Sequence, residues 1–546
     1  MRRRVMSMLV GAVLAASTLL GAGPAAADTP PPEFGNDWHD PITAAPPVPK
    51  PHTKSCEVAV AEAQFKDFTP YKGTYAPPEK CGKGRWGKVV LRLDGKVKGR
   101  QYDRLGYLRI GGVEVFRTST PEPSADGITW SVEKDVTRYS ETLSRDQQVE
   151  MLIGNVVDDT YTGIIDVRAT LTFYEQDKQD KQNKRDKREK RGHASPAVPD
   201  RVVPLGDGTS LTTPRNSERI IAEVYATGSG GGCEEYWYLT VPDAAPYSCK
   251  ADHGPYREVQ VKVDGQLAGI AAPFPTVWTG GWSNPFLWYV IPGPRAFDIK
   301  PVEYDLTPFA GLLNDGRPHQ VEVSVVGVPK AQTGWSTPVN VLVWQDEKSD
   351  HVTGRLTRHQ EGALANDSTY TPGSGEKAHR LDTEGGHRLS VSGYVNTSHG
   401  RVATTVTRTL ANASGHRWTD GEAMDALKAT WTDRETITTG HRAVRTDRTY
   451  TMDGTTTLGD SDRLRTEIAL GDRSETTTIR DGRRGNWSVL DDRYDGDATY
   501  TANVPREQRH AVGTSRERYR LLGDTGCYDR TLATVQGTLT EDRRRC

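Results

Sequence analysis

In GRQYDRLGYLRIGGVEVFRTSTPEPSADGITW, residues 99–130, Asp103 and Arg104 precede a strand-like run, and Glu122 stands between Pro121 and Pro123 after it. A carboxylate that takes a proton from water, a second carboxyl that returns one and a cation that orients a polar substrate form a hydrolytic set needing no metal. A further acidic pair, Glu234-Glu235, follows a glycine-rich loop in GSGGGCEEYWY, residues 228–238. One of two adjacent carboxyls among aromatics is suited to a raised pKa and an acid role. By alternation at most one of the two faces a site, and the residues alone leave open which.

Aromatic residues in loops add a second kind of chemistry. PFPTVWTGGWSNPFLWYVIPGP, residues 273–294, carries Trp278, Trp282, Trp288 and Tyr289 among prolines and glycines, and Trp237 follows the acidic pair. Rigid aromatic faces with polar tips stack well on sugars; the competing use is a sandwich core, which claims one or two of them. The chain has no His-Glu-x-x-His run, no Gly-x-Ser-x-Gly elbow and no phosphate-cradling Gly-x-x-x-x-Gly-Lys loop. Carboxylate chemistry on a sugar-bearing substrate is what remains.

The elements that must position these groups are strands. Apolar residues alternate at Val89, Leu91 and Leu93, again from Ile165 to Phe173, at Val259, Val261 and Val263, and at Val321, Val323 and Val325, the period of half-buried strands. Asp94-Gly95 and Asp264-Gly265 follow two of these runs as hairpin-turn signals. LRLDG and VKVDG, and VEKDVTRYSETL and VEYDLTPFAGLL, repeat at one offset: Asp94 and Asp264, like Asp135 and Asp305, stand 170 residues apart. Acids shared by both copies read as structural; at that offset Asp103, Arg104 and Glu122 meet Pro273, Phe274 and Pro292 and read as copy-specific. The fold expected is all-β, with two tandem jelly-roll-like β-sandwiches at 55–175 and 214–347 and a third, polar antiparallel β-region at 352–546 with few large core residues.

Residues 1–27, with three arginines, an apolar run and Ala25-Ala26-Ala27, read as a secretory signal peptide. Residues 28–54 read as a Pro-rich leader. Residues 176–213 read as a charged, disordered linker, because QDKQDKQNKRDKREKR has nothing to bury. Six cysteines in an exported chain fall into three close pairs, Cys56 with Cys81, Cys233 with Cys249 and Cys527 with Cys546, as loop staples rather than zinc ligands. With 70 basic against 72 acidic residues and a net charge of −2, nothing attracts nucleic acid or an anionic membrane. A secreted monomer without metal or cofactor is expected, with no membrane contact after signal cleavage.

VEVFRTSTPEPSADGITWSVEKDVTRY, GNVVDDTYTGIIDV, EEYWY, GPYREVQVKVDGQLAG, PFPTVWTGGWSNPFLWYV and FDIKPVEYDLTPFAGLLNDGRPHQVEV together resemble the peptide-N4-(N-acetyl-β-glucosaminyl)asparagine amidase A family. The resemblance implies cleavage of the amide between an Asn side chain and the first N-acetylglucosamine of an N-glycan, leaving Asp and a glycosylamine, on N-linked glycopeptides or glycoproteins and without a cofactor. The more distant peptide-N-glycosidase F type also has two jelly rolls and an essential Asp followed by an Arg, which Asp103-Arg104 resembles. By that resemblance Asp103 activates water, Arg104 holds the inner sugars, and Glu122 with Glu234 or Glu235 polarises the amide or protonates its nitrogen. Trp237, Trp278 and Trp282 are the expected sugar-contacting faces. A lectin-like carbohydrate-binding protein is the alternative, and a glycosidase cutting between sugars a third.

Overall fold

The computed structural model describes residues 29–82, 86–177, 198–229, 233–278, 282, 284–329, 334–375 and 377–546. The signal segment and most of the charged linker lie outside the described residues.

Eight strands build the first sandwich: β1 (Ser55–Phe65), β2 (Tyr71–Tyr75), β3 (Trp86–Val97), β4 (Leu105–Ile110), β5 (Val113–Ser119), β6 (Ile128–Asp135), β7 (Gln147–Ile153) and β8 (Ile165–Glu175). They form two four-stranded antiparallel sheets in the orders β1-β8-β3-β6 and β2-β7-β4-β5. Val89, Leu91, Leu93, Val167, Ala169 and Leu171 from one sheet and Leu108, Ile110, Val149 and Met151 from the other are buried in one core, as the alternation requires.

The second sandwich comprises β9 (Arg201–Gly206), β10 (Ser210–Leu211), β11 (Ser217–Val224), β12 (Thr227–Gly228), β13 (Glu258–Val263), β14 (Gln266–Ala271), β15 (Val302–Asp305), β16 (His319–Val326), β17 (Trp335–Ser336) and β18 (Val339–Gln345). Its main sheets run β9-β18-β11-β15 and β10-β16-β13-β14, with β12 and β17 paired apart. The two strand orders match one to one, so the duplication is visible in the pairing itself. This sandwich begins earlier than residue 214, because β9 and β10 belong to it; runs this short show no periodicity.

The pairing also corrects the register of the repeat. Asp135 and Asp305 do perform one task, each accepting the backbone N–H two residues on at 3.0 Å. The LRLDG match is misleading, however, since β3 occupies the place of β11, and β13 that of β4. Asp264-Gly265, with φ of 48° and 79°, turns the β13–β14 hairpin, and its counterpart is Gly111-Gly112, φ 59° and 79°. Asp94-Gly95 is no turn: it lies within β3, paired with Ser131 and Trp130. A Cβ at Gly95 would stand 2.3 Å from Trp130 Cζ2, so this glycine makes room for an indole. In the structural register Asp103 meets Tyr256, Arg104 meets Arg257, and Pro121-Glu122-Pro123 meets Phe274-Pro275-Thr276. The two acids remain copy-specific, but the arginine does not.

From Thr353 to Arg544 the chain forms one eleven-stranded antiparallel sheet. Its outer face carries the expected threonines and charges. Its inner face is richer than expected, burying Trp418, Trp431, Tyr450, Met452 and Tyr494 against the aromatic loops of the second sandwich. The leader straps these parts together: Trp38 stacks on Tyr289 at 3.9 Å between centroids, and the Ile42 N–H donates to Val290 O at 2.8 Å. The three expected disulfides are formed.

Candidate active site

The β4–β5 hairpin sets the first acids side by side. Its ladder continues past Leu105 and Ser119 through the Arg104 N–H to Thr120 Oγ1 and the Thr120 N–H to Arg104 O, both 2.9 Å. Asp103 and Pro121-Glu122 therefore leave the sheet from adjacent strands. Buried Gln101 supports the turn-in, donating to Val156 O at 2.9 Å and Gly163 O at 3.0 Å while its Oε1 accepts from Arg104 Nε at 3.1 Å. Glu122 is half-buried; burial and the neighbouring Asp103 charge push its carboxyl well above the usual range, against the pull of Arg509, Arg506 and Arg100.

A third acid arrives from the second sandwich. The 3-10 segment Cys233–Leu239, tied at its start by Cys233–Cys249, is broken at Tyr236, where φ is −117° and ψ 36°. The break separates the two adjacent glutamates. Glu234 is 1% exposed and takes Arg257 Nη2 at 2.7 Å and Nε at 2.9 Å, plus the Trp335 indole N–H. Both its oxygens are thus committed to an internal ion pair, which corrects the reading of Glu234 as a site acid. Removing one partner of such a pair costs about 3–5 kcal/mol. Glu235 stays half-buried, and burial raises its carboxyl while the Tyr236 phenol, hydrogen-bonded to it, opposes the rise. Burial raises the Tyr236 phenol, and the charges of Glu235, Asp103 and Glu122 add to the shift. Tyr236 therefore feels acids from both sandwiches.

Buried polar contacts hold that junction. Arg117 on β5 binds Glu114 at 2.6 Å, Thr227 Oγ1 at 2.7 Å and Tyr225 O at 3.2 Å, and Asn340 bonds the backbone of Glu114 in both directions at 2.9 and 3.1 Å. Since Glu122 follows β5 and Glu235 follows β12, these contacts tie together the two strands from which those acids depart.

The aromatic expectations need correction. Trp237, Trp278 and Trp282 are 3%, 4% and 5% exposed. Trp237 packs edge-on to Trp431 at 5.6 Å, and Trp282 lies on Gly454, where a Cβ would stand 2.9 Å from its ring. Trp237 and Trp282 are core residues between sandwich and sheet, because the large sheet needs an apolar cover, and Trp278 is buried as well. The exposed aromatic surface beside Asp103 is instead Tyr102 and Tyr161, whose rings lie 4.3 Å apart, with Arg104 5.4 Å over the first and Arg100 5.5 Å over the second. Tyr102 is 47% exposed. Its place beside Asp103 in GRQYDR was the sequence signal for it.

The C-terminal sheet completes the surroundings. The turn around Arg506–Gln508 brings Arg506 4.8 Å over the Trp38 ring and Arg509 6.0 Å over Tyr500. Glu122 feels both cations, and Tyr289 and Tyr500 feel Glu122. Among the described residues these side chains form no metal-ligand group; the cluster with that geometry, Glu218, Asp346 and His399, contains none of them.

Residues 45–362 match the family model described as peptide N-acetyl-beta-D-glucosaminyl asparaginase amidase A. The chain is 31% identical over 402 residues, 69% of its length and 68% of the relative's, to a peptide-N4-(N-acetyl-beta-glucosaminyl)asparagine amidase A from Prunus dulcis. Two solved structures of PNGF-II are also similar. The one in space group C2 has a TM-score of 0.36 and 13% identity over 53% of this chain and 65% of that one. The one in P21 has 0.35 and 14% over 53% and 66%. The chain thus spans just under two thirds of those solved chains, and slightly over two thirds of the almond relative. On the extent of the family match and the identity to the almond protein, this chain belongs to the peptide N-acetyl-β-D-glucosaminyl asparaginase amidase A family.

Proposed function

We propose that this protein is an exported glycoamidase that hydrolyses the amide joining an Asn side chain to the innermost N-acetylglucosamine of an N-glycan. The observation that carries the reading is the copy-specific pair Asp103 and Glu122, set side by side in a chain of this family, with one carboxyl forced toward its protonated form. Environments that push two acids apart assign their roles. Asp103 accepts a proton from the attacking water. Glu122, protonated, hydrogen-bonds the amide and gives its proton to the departing nitrogen, and Tyr236 with Glu235 lines the opposite wall. Arg104 and the Tyr102–Tyr161 surface receive the inner sugars. The products are an Asp-containing peptide and a glycosylamine, which loses ammonia in water. Export fits three disulfides, which persist in oxidising compartments.

The test is incubation of the purified protein with an N-glycopeptide in ¹⁸O-labelled water, read by mass spectrometry. The expected result is one ¹⁸O in a new Asp together with the released intact glycan. Peptide retaining one N-acetylglucosamine would show a glycosidase, and unaltered glycopeptide retained by the protein would show a lectin.

A further inference from the structure

Nine large apolar side chains stand out into solvent among the described residues, and five of them, Phe68, Tyr102, Val156, Val157 and Ile164, belong to loops at one end of the first sandwich. The topology brings these loops together: Phe65 closes β1 opposite Ile165 at the start of β8, and Ile153 closes β7 opposite Gly106 on β4. Asn155 ties them, donating through its side chain to Phe65 O at 2.8 Å and Gly163 O at 3.1 Å. Phe68 is 65% exposed, and its ring rests on Gly154, where a Cβ would stand 2.7 Å from Cε1. A glycine thus seats one face of the ring while leaving the rest open. Scattered exposed apolar residues need no explanation, but a contiguous patch marks an interaction surface.

This patch adjoins the acids. Val156 O accepts from Gln101, the residue that holds Arg104. The occupant follows from the proposed reaction, on which this step rests. An N-glycopeptide has a polar half, suited to Tyr102, Tyr161 and the arginines, and a polypeptide half that must leave the scissile Asn in some direction. Phe68, Val156, Val157 and Ile164 have no side-chain hydrogen-bonding groups and suit apolar side chains of an extended peptide. We infer that this rim binds the polypeptide flanking the glycosylated Asn and favours an apolar residue there.

The experiment compares two glycopeptides with one glycan, one with Leu and one with Ser on both sides of the glycosylated Asn. Wild-type protein should prefer the Leu peptide about tenfold in kcat/KM, the discrimination an apolar contact provides, mainly through KM. Phe68→Ser should bring the ratio close to one, while Leu521→Ser, an exposed leucine on the C-terminal sheet and not part of this rim, should keep it. Equal rates in wild type, or a preference that survives Phe68→Ser, would overturn the inference while leaving the amidase reading intact. If wild type cleaves neither peptide the amidase reading fails, and fluorescence anisotropy of the same labelled glycopeptides decides the rim. Tighter binding of the Leu peptide that Phe68→Ser abolishes upholds it, and equal binding overturns it.

Discussion

Asp103 and Glu122 owe their pairing to two hydrogen bonds between Arg104 and Thr120, one to the Thr120 hydroxyl and one between backbones, and their proposed division of labour to the burial of Glu122. Asp103→Asn keeps the side-chain volume and removes the base, so activity should fall by roughly 10²–10⁴-fold with an unchanged melting temperature. In the proposed reaction Glu122 is the proton donor, and its carboxyl is displaced upward. Activity should therefore hold while it is protonated and fall as pH rises through its pKa. In Glu122→Gln the residual rate should lose that alkaline limb; a kcat/KM profile that keeps it would remove Glu122 from the acid role. These two acids were legible in the sequence because each stands at a duplicated position where the other copy has an uncharged residue. Glu234 and Glu235 were not separable, since their fates depend on a kink at Tyr236 and on Arg257, which no local pattern reports. Tyr236 carried no signal beyond its neighbours.

At the scale of elements, alternation identified the strands well, and the capped turns at Asp135 and Asp305 were correctly read as shared. The register of the repeat was misjudged because Asp-Gly was weighed as a turn in both copies, whereas in β3 the glycine serves the Trp130 ring. Tryptophans in Pro/Gly-rich segments looked like a sugar-contacting surface because the element that covers them begins more than 70 residues later. The same distance hid the turn around Arg506–Gln508, which lies outside the region matched by the family model yet places Arg506 and Arg509 within reach of Glu122. Arg509 Nε is buried without a hydrogen-bond partner, and the Arg509 charge opposes the rise of the Glu122 pKa. Arg509→Met keeps the length and removes the charge. Because the cation lowers the Glu122 pKa, the variant should move the alkaline limb of kcat/KM to higher pH, and an unmoved limb would reduce this arginine to packing.

In the whole molecule, two sandwiches, a leader and a long sheet share one aromatic core, and the leader's attachment is a titratable one. The Ala44 N–H donates to Glu517 Oε2 at 2.9 Å, Tyr528 donates to Ala44 O at 3.0 Å and Arg530 to Thr43 O at 3.1 Å. Burial pushes the Glu517 carboxyl up to about 7, and burial with the Glu517 charge beside it raises Asp492 well above the usual carboxylate range. A buried carboxyl with a raised pKa keeps its proton in the folded state where the unfolded chain has released it. The pair's contribution to folding stability is then greatest below the usual carboxylate range and declines as pH climbs from there through about 7. Glu517→Gln retains an oxygen to accept the Ala44 N–H and cannot ionise, so its melting temperature should fall less steeply across that interval than the wild type's. Thermal unfolding at a series of pH values measures this, and an identical slope in the variant would mean that the pair ionises without strain. With the slope flattened, the leader's grip on the sheet is set by that shared burial, and protease sensitivity of residues 29–54 should rise with pH in wild type and not in the variant.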